Sequence, residues 1–345
     1  MTLSKWDEYF IHQAYESVVE TKVTKERLYF GCHNTDGTLH MAVGLGVYPE
    51  KKLMDAYVCL RHNNTQYNLR LYRHVTDGDF NDLQIGPLKI SIIEPMKRWA
   101  IELKDKGENG NESGINCSLE FEGLDEPYLA RLKTAEFLQY NQPGRYSGNI
   151  RIKDQNFDVT GFIGGRDRSW RAELPESVMK PFGGHFWMLA HFPESWLFFH
   201  GFPLFDVPTP ADFDGAVSDY EGNAEPIEQV LHRIEFLPDT QALASADLQL
   251  LHTNGKKRNL KIKPISRTLS FTGGGYITQG QDHGSMHIEG EQWDVSVPAD
   301  IGSEQFGALG MGQQIAEFNL DGEVGVGILE TSYSPDKDQE YKPTW

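Results

Sequence analysis

Cysteine is scarce in this chain of 345 residues, which has only Cys32, Cys59 and Cys117. Three thiols cannot close a disulfide framework, and no two of them stand at metal-ligand spacing. Such usage suits a reducing compartment, so the cytoplasm is the expected location. Long hydrophobic runs are missing too. No stretch approaches the roughly 18 uninterrupted apolar residues of a membrane helix, and MTLSKWDEYF lacks the basic and apolar blocks of a signal peptide. No membrane insertion is expected. Basic charge is in deficit, with 32 Lys and Arg against 50 Asp and Glu and a net charge of −18. Nucleic-acid backbones and anionic membrane faces both call for clustered Lys and Arg, so neither partner fits. The acidity itself reads as solubility.

Several familiar chemical devices are absent as well. The glycine-rich strings GLG at 44–46 and TGGGY at 272–276 lack the GxGxxG order and a following helix, which removes a dinucleotide fingerprint. There is no GxSxG elbow and no GxxxxGK phosphate loop. His283 and His287 form a superficial metal pair in DHGSMHIEG, but no third ligand stands at a persuasive spacing, and HExxH and CxxC do not occur. Neither metal nor cofactor is expected.

What the chain does have is apolar and aromatic content, 39% and 12%, enough for a large core. Its length suits two domains. Short alternating runs punctuated by turn residues dominate. RLYFGCH at 27–33, the NTDG turn and TLHMAVGLGV at 38–47 read as a hairpin. DAYVCLRH at 55–62, NNT and QYNLRLYR at 66–73 read as a second. Helical turns are expected only at 125–138 and 225–234. No helix–strand alternation of the parallel-sheet kind appears. The reading is all-β, with two antiparallel lipocalin-like barrels at 1–205 and 206–345. The segment 206–226, rich in Pro, Asp and Gly, is taken as the connection. Barrels near eight strands are just wide enough to hold one small ligand.

GGRDRSWRAE at 164–173 is the most distinctive string. Arg166 and Arg168 either grip Asp167 and lower its pKa, or leave it facing an apolar cavity where desolvation raises it. Alternation along a strand puts the two arginines on the face opposite Asp167. A second constellation is the aromatic hairpin 185–202. Phe186, Met188, Ala190 and Phe192 share one face of its first strand, and His185, Trp187, Leu189 and His191 share the other. Sequence leaves open which face meets a cavity. Trp196, Phe198 and His200 continue the style.

With GRDRSW and HFWMLAHFPESWLFFHGF in view, the sequence resembles the carotenoid 1,2-hydratase (hydroxyneurosporene synthase) and AttH-like superfamily of double-lipocalin proteins. It is most similar to a bacterial branch whose hallmark is approximately RDHSWGxR. The resemblance is carried further by ERLYF at 26–30, GLGVYP at 44–49, IGPLKISIIEPMKRW at 85–99, NQPGRYSG at 141–148, GGGY at 273–276 and HIEGEQWDV at 287–295. The chain departs from the hallmark with Arg168 where His is usual, and with RAE at 171–173 where Gly-x-Arg is usual. The resemblance implies a double calycin fold with an apolar cavity near the domain junction. It also implies relatives that protonate isoprenoid double bonds or cyclise terpenoid and polyketide substrates.

The expected function is a cofactor-independent lyase or isomerase acting on an apolar, terpenoid- or steroid-like molecule. Asp167 donates the proton, positioned by Arg166 or Arg168, and His191 or Glu330 takes the returning one. Trp170, Trp187 and Tyr276 face a developing carbocation, with Phe186, Met188 and Trp196 completing the wall. A non-catalytic carrier and a pericyclase-like cavity are the alternatives. Monomer and homodimer both remain open.

Overall fold

The computed structural model describes residues 3, 5–10, 23–76, 79–104, 113–132, 137–172, 185–202, 212–240, 242–298, 311–332 and 343–344. Apart from short 3-10 turns, the described chain is all β. The alternating runs become antiparallel strands in two sheets.

The first sheet is built from β1 (Val23–His33), β2 (Leu39–Tyr48), β3 (Leu53–His62), β4 (Thr65–His74), β5 (Gln84–Ile85), β6 (Leu88–Glu94), β7 (Arg98–Lys104), β8 (Ile115–Gly123), β9 (Tyr128–Leu132), β10 (Phe137–Ile152), β11 (Gln155–Asp158) and β12 (Phe162–Ala172). Its order is β4-β3-β2-β1-β12-β10-β8-β7-β6-β5, curled into an open half-barrel, with β9 and β11 paired to β10. The second sheet holds β13 (His185–His191), β14 (Trp196–Phe202), β15 (Asp212–Ser218), β16 (Ala224–Phe236), β17 (Leu243–His252), β18 (Lys257–Pro264), the short β19 (Leu269–Ser270), β21 (Gly312–Leu320) and β22 (Glu323–Ser332). Pairing of β18 with β21 closes eight of these into a barrel without edges. Late in the chain, β20 (Met286–Asp294) leaves the second sheet and pairs along β4 of the first. Sheet membership thus changes between Ala172 and His185, ahead of the 206–226 segment.

Alternation sorts most of the buried side chains among the described residues into three large cores. Leu28 and Phe30 point into the first sheet's own core with Val43, Val58, Trp99 and Phe121. Phe186, Met188 and Ala190 join residues from all eight barrel strands and occupy the lumen. The opposite faces, carrying Tyr29, Tyr57, Trp187, Leu189, Phe198, Phe271, Ile315 and Ile328, meet one another. This third core docks the barrel on the half-barrel.

Where they are described, both expected helical segments are largely strand. Residues 225–234 lie in β16, where a register shift between Ile227 and Gln229 marks a bulge. The bulge puts Ile227 and Val230 on the buried face three positions apart, which imitates a helical period. In 125–138, Tyr128–Leu132 pairs with β10 as a hairpin strand, Ala130 and Leu132 being buried in alternation. Residues 133–136 lie outside the described set. The glycine strings serve close packing. TGGGY forms the 3-10 turn Phe271–Gly274, capped by the Ser270 side chain. It lies so near β3 that a Cβ on Gly274 would stand 2.9 Å from the Tyr57 Cβ. A Cβ on Gly44 would meet the same tyrosine's ring at 2.2 Å.

Candidate functional site

Extended geometry through Gly164–Trp170 sends successive side chains of β12 to opposite faces, and this divides the RDRSW string. Arg166 and Arg168 point into the first sheet, where both are fully buried and each meets its own carboxylate. Arg166 Nη2 lies 2.7 Å from Glu8 Oε1, its Nε donates to Gln142 Oε1 at 2.7 Å and its Nη1 to the Tyr140 hydroxyl at 2.9 Å. Arg168 Nη2 lies 2.6 Å from Glu26 Oε2, with the guanidinium 4.0 Å from the Phe10 ring centroid. Trp170 shares that face, buried edge-to-face against Tyr140. The expectation that these arginines position Asp167 is therefore corrected. Their ion pairs are with Glu8 and Glu26, the Arg166 charge reaching Asp167 only from the opposite face as a minor effect. Trp170 packs with them, away from the junction between the sheets.

Asp167 points the other way, into the junction. Its cross-strand neighbours are Tyr29 on β1 and Asn141 on β10. Facing it from the barrel is Glu330 on β22, whose own cross-strand neighbours are Trp187 and Gln313. Burial pushes the Asp167 carboxyl up to about 7, against a hydrogen bond from Gln139, the charge of Arg27 and, least, the charge of Arg166. Burial likewise pushes Glu330 up to about 8. There a hydrogen bond from Gln313 opposes the rise, the charge of Asp167 adds to it, and Arg27 draws it back. Desolvation dominates both, and the two acids are close enough to feel each other's charge.

Each acid is held by a glutamine of its own sheet, and each glutamine is held by the other sheet. Gln313 Nε2 donates to Glu330 Oε2 at 2.7 Å while its Oε1 accepts from the Tyr29 hydroxyl at 2.9 Å. Gln139 bonds Asp167, and its Oε1 lies 2.9 Å from His200 Nδ1 of the barrel. Trp187 stands edge-to-face with Tyr29 at 5.7 Å and donates to Asn141 Oδ1 at 3.1 Å. The Asn141 Nδ2 beside it is buried without a partner. Arg27 donates to the Tyr276 hydroxyl at 2.8 Å and lies 4.7 Å from that ring's centroid. Burial raises Tyr29 and Tyr57 well above the usual phenol range, so both stay protonated donors.

The junction thus gathers Asp167, Glu330, Trp187 and Tyr276 from the residues expected of the site. It does not gather the rest. Phe186 and Met188 are in the barrel lumen. Trp196 donates to Asp125 Oδ2 at 2.7 Å at another part of the seam. His191 has both ring nitrogens engaged, Nε2 with Gly164 O at 2.6 Å and Nδ1 with the Tyr220 hydroxyl at 3.1 Å. Burial lowers it to about 4, so it is neutral at pH 7 and cross-links the sheets. Glu330 is left as partner to Asp167. Arg27, Tyr29, Gln139, Asn141 and Gln313 were missed. Only the first two carried a signal, since alternation in RLYFGCH puts Arg27 and Tyr29 on one face.

These shifts fix a pH dependence. A carboxyl whose folded pKa exceeds its unfolded value holds a proton that the unfolded chain has lost, so stability falls as pH rises between the two values. For Asp167 and Glu330 that window runs from the ordinary carboxylate range to about 7 and 8. Neutral buried His33 and His191, lowered to about 3 and 4, act in the opposite sense, but only below the ordinary imidazole value near 6.5. Between about pH 6.5 and 8, urea midpoints are therefore expected to fall with rising pH. In Asp167→Asn or Glu330→Gln the slope should flatten; an unchanged slope in both would contradict the raised values.

Among the described residues, no cluster of three His, Cys, Asp or Glu side chains is placed to hold a metal ion. The family described as "Family of unknown function (DUF8625)" matches residues 3–191. No protein of curated function matches the chain in sequence. Among solved structures, an AttH-like protein of Nitrosomonas europaea superposes at a TM-score of 0.59 and 14% identity, over 90% of this chain and 92% of its own. CghA in complex with Sch210972 superposes at 0.55 and 10% identity, over 91% and 89%. These likenesses establish the fold, two lipocalin-like halves of which one is a closed barrel.

Proposed function

We propose, for a chain that belongs to the DUF8625 family of unknown function, a cofactor-independent lyase or isomerase that moves a proton on an apolar small molecule bound between the two sheets. The observation that carries this reading is the Asp167–Glu330 pair. It consists of two carboxyls lifted to about 7 and 8, set among Tyr29, Tyr57, Trp187 and Phe271. Near neutral pH such a pair holds about one proton, because ionising the second acid places two like charges together. One member is then an acid and the other a base, the condition for adding a proton at one atom of a substrate and removing one from another.

Glu330, lifted the higher of the two, holds the shared proton and delivers it. Asp167 receives the returning one in hydration, dehydration or a double-bond shift, the reverse of the order expected from the sequence. In this reading Trp187 and Tyr57, both in the apolar core around the pair, supply the ring faces that meet positive charge on carbon. Tyr276 already has Arg27 over its ring, so it orders the guanidinium rather than the substrate. Arg27 and the Asn141 amide are the donors for a substrate oxygen that gains negative charge. A terpenoid- or steroid-like substrate suits these apolar walls. The carrier alternative draws on one neighbour of the same fold, CghA, whose crystal holds the small molecule Sch210972.

Organic extraction and native mass spectrometry of protein from its own host, followed by incubation of the extract with fresh protein in D2O, test the reading. The expected result is a co-purifying apolar molecule that gains deuterium at carbon. A molecule that binds tightly and returns without label would make the protein a carrier.

A further inference from the structure

Three arginines are almost fully buried in the described chain: Arg61, Arg166 and Arg168. The last two each face a buried glutamate. Arg61 does not. Its Nη1 donates to Asn63 O at 2.9 Å and its Nη2 to Gly37 O, so the guanidinium ties the β1–β2 turn to the β3–β4 turn. Its Nε has no partner, and among the described residues no carboxylate forms an ion pair with it. A buried guanidinium satisfied only by neutral carbonyls keeps most of its desolvation cost. Burial draws Arg61 down to about 10, with the charge of Asp36 alone pulling back.

Arg61 lines a cavity of about 580 Å³ at the seam. The first sheet supplies 36–38, Arg61, Asn63 and Asn64, and the loop 264–267 of the barrel supplies the other wall. That loop brings a second guanidinium, Arg267, which is exposed. It also brings Pro264 and Ile265, the latter 38% exposed and among the few large apolar side chains left open to solvent. The one carboxylate on the lining, Asp36, is engaged by the Thr38 backbone N–H and hydroxyl at 2.9 and 2.7 Å. Those bonds hold it ionised. Two guanidinium groups against one carboxylate leave the cavity with one positive charge, in a chain whose net charge is −18. The volume lies within the range of about 300–1,000 Å³ usual for small-molecule pockets, and is ample for an organic body attached to a charged head.

We propose that this cavity binds a small organic oxyanion, its carboxylate or phosphate head at Arg61 and Arg267 and its apolar body against Pro264 and Ile265. The site is separate from the Asp167–Glu330 pair and does not depend on the activity read there. Because its walls come from both sheets, an occupant bridges them, and binding raises the melting temperature by mass action.

Isothermal titration of the full chain with benzoate and with phenyl phosphate tests this, with benzyl alcohol as the neutral body and inorganic phosphate as the bare head. Arg61→Ala is avoided because Arg61 ties two turns. Saturable binding of at least one aromatic anion is expected, and which of the two binds identifies the head. Arg267→Ala should weaken that binding about tenfold through loss of a charge-assisted contact. Asp36→Asn, which keeps an oxygen for Thr38, should tighten it about threefold by removing like charge. Opposite signs from two surface variants are not what a loss of structure produces. Three results would each overturn the proposal: no saturation by either anion, equal binding of benzyl alcohol or inorganic phosphate, or variants that match the unaltered protein.

Discussion

Replacing Glu8 with alanine is expected to destabilise the protein by about 3–5 kcal/mol, because it leaves the Arg166 charge buried without its carboxylate. Both side chains are fully excluded from solvent. The Tyr140 hydroxyl, which also donates to Glu8 Oε1 at 2.7 Å, loses that acceptor too. The remaining partners of Arg166, Gln142 and Tyr140, are neutral and cannot offset a full charge. The double variant Glu8→Leu/Arg166→Met should recover most of the loss, since exchanging a buried ion pair for apolar groups of similar volume is often neutral or better. Urea denaturation of the two single variants and the double closes the cycle. A Glu8→Ala loss below about 1 kcal/mol would mean that water or rearrangement relieves the charge. In either case this arginine's effect should appear chiefly in stability, and loss of its charge in the double variant should let the Asp167 carboxyl rise slightly.

Asp167→Asn is expected to lower turnover by about 10²–10⁴, the usual worth of a positioned acid or base, with the change concentrated in kcat. Before substitution, burial lifts the two carboxyls to about 7 and 8, so the rate should peak between those values and fall on both sides. Removing Asp167 takes away a charge that raises Glu330. The surviving acid should then titrate lower, leaving a profile with one limb. Glu330→Gln should likewise abolish one limb. Asparagine and glutamine keep the shape and the hydrogen-bonding oxygen, so both variants should fold. Full rate in Asp167→Asn across the pH range would remove proton transfer by this residue and favour a cavity that only folds its substrate.

The strands were legible because alternation is a direct physical consequence of the pleat. The same rule separated Asp167 from its flanking arginines and offered two faces for 185–192. The structure resolves that choice, with Trp187, Leu189 and His191 turned to the junction and Phe186 and Met188 to the lumen. Alternation fails where a bulge shifts it, as in β16. It also says nothing about partners distant in sequence. Glu8 and Glu26 meet Arg166 and Arg168 across 158 and 142 positions, so the arginines looked available to Asp167 when they were already committed. Gln139 and Gln313 were illegible for a related reason. An amide on a strand face is unremarkable until the other sheet supplies Tyr29 and His200 to hold it. Trp170 and Trp196 read as ring faces for a ligand, yet one lies in a buried cluster and the other is tied to Asp125.

The return of β20 to the first sheet bears on how the chain is made. Arg70 on β4 and Glu291 on β20 form an ion pair across 221 positions. At synthesis rates of about 5–20 residues per second, β4 emerges from the ribosome roughly 10–45 s before its outer neighbour exists. Throughout that interval the nascent half-barrel presents a strand edge with Tyr67, Leu69 and Leu71, the kind of edge that recruits other chains. Arg70 and Arg73 punctuate the same strand. Their charges discourage intermolecular pairing while the edge is open, and Arg70 is then taken up by Glu289 and Glu291 when β20 arrives. One residue thus guards the unfinished chain and fastens the finished one.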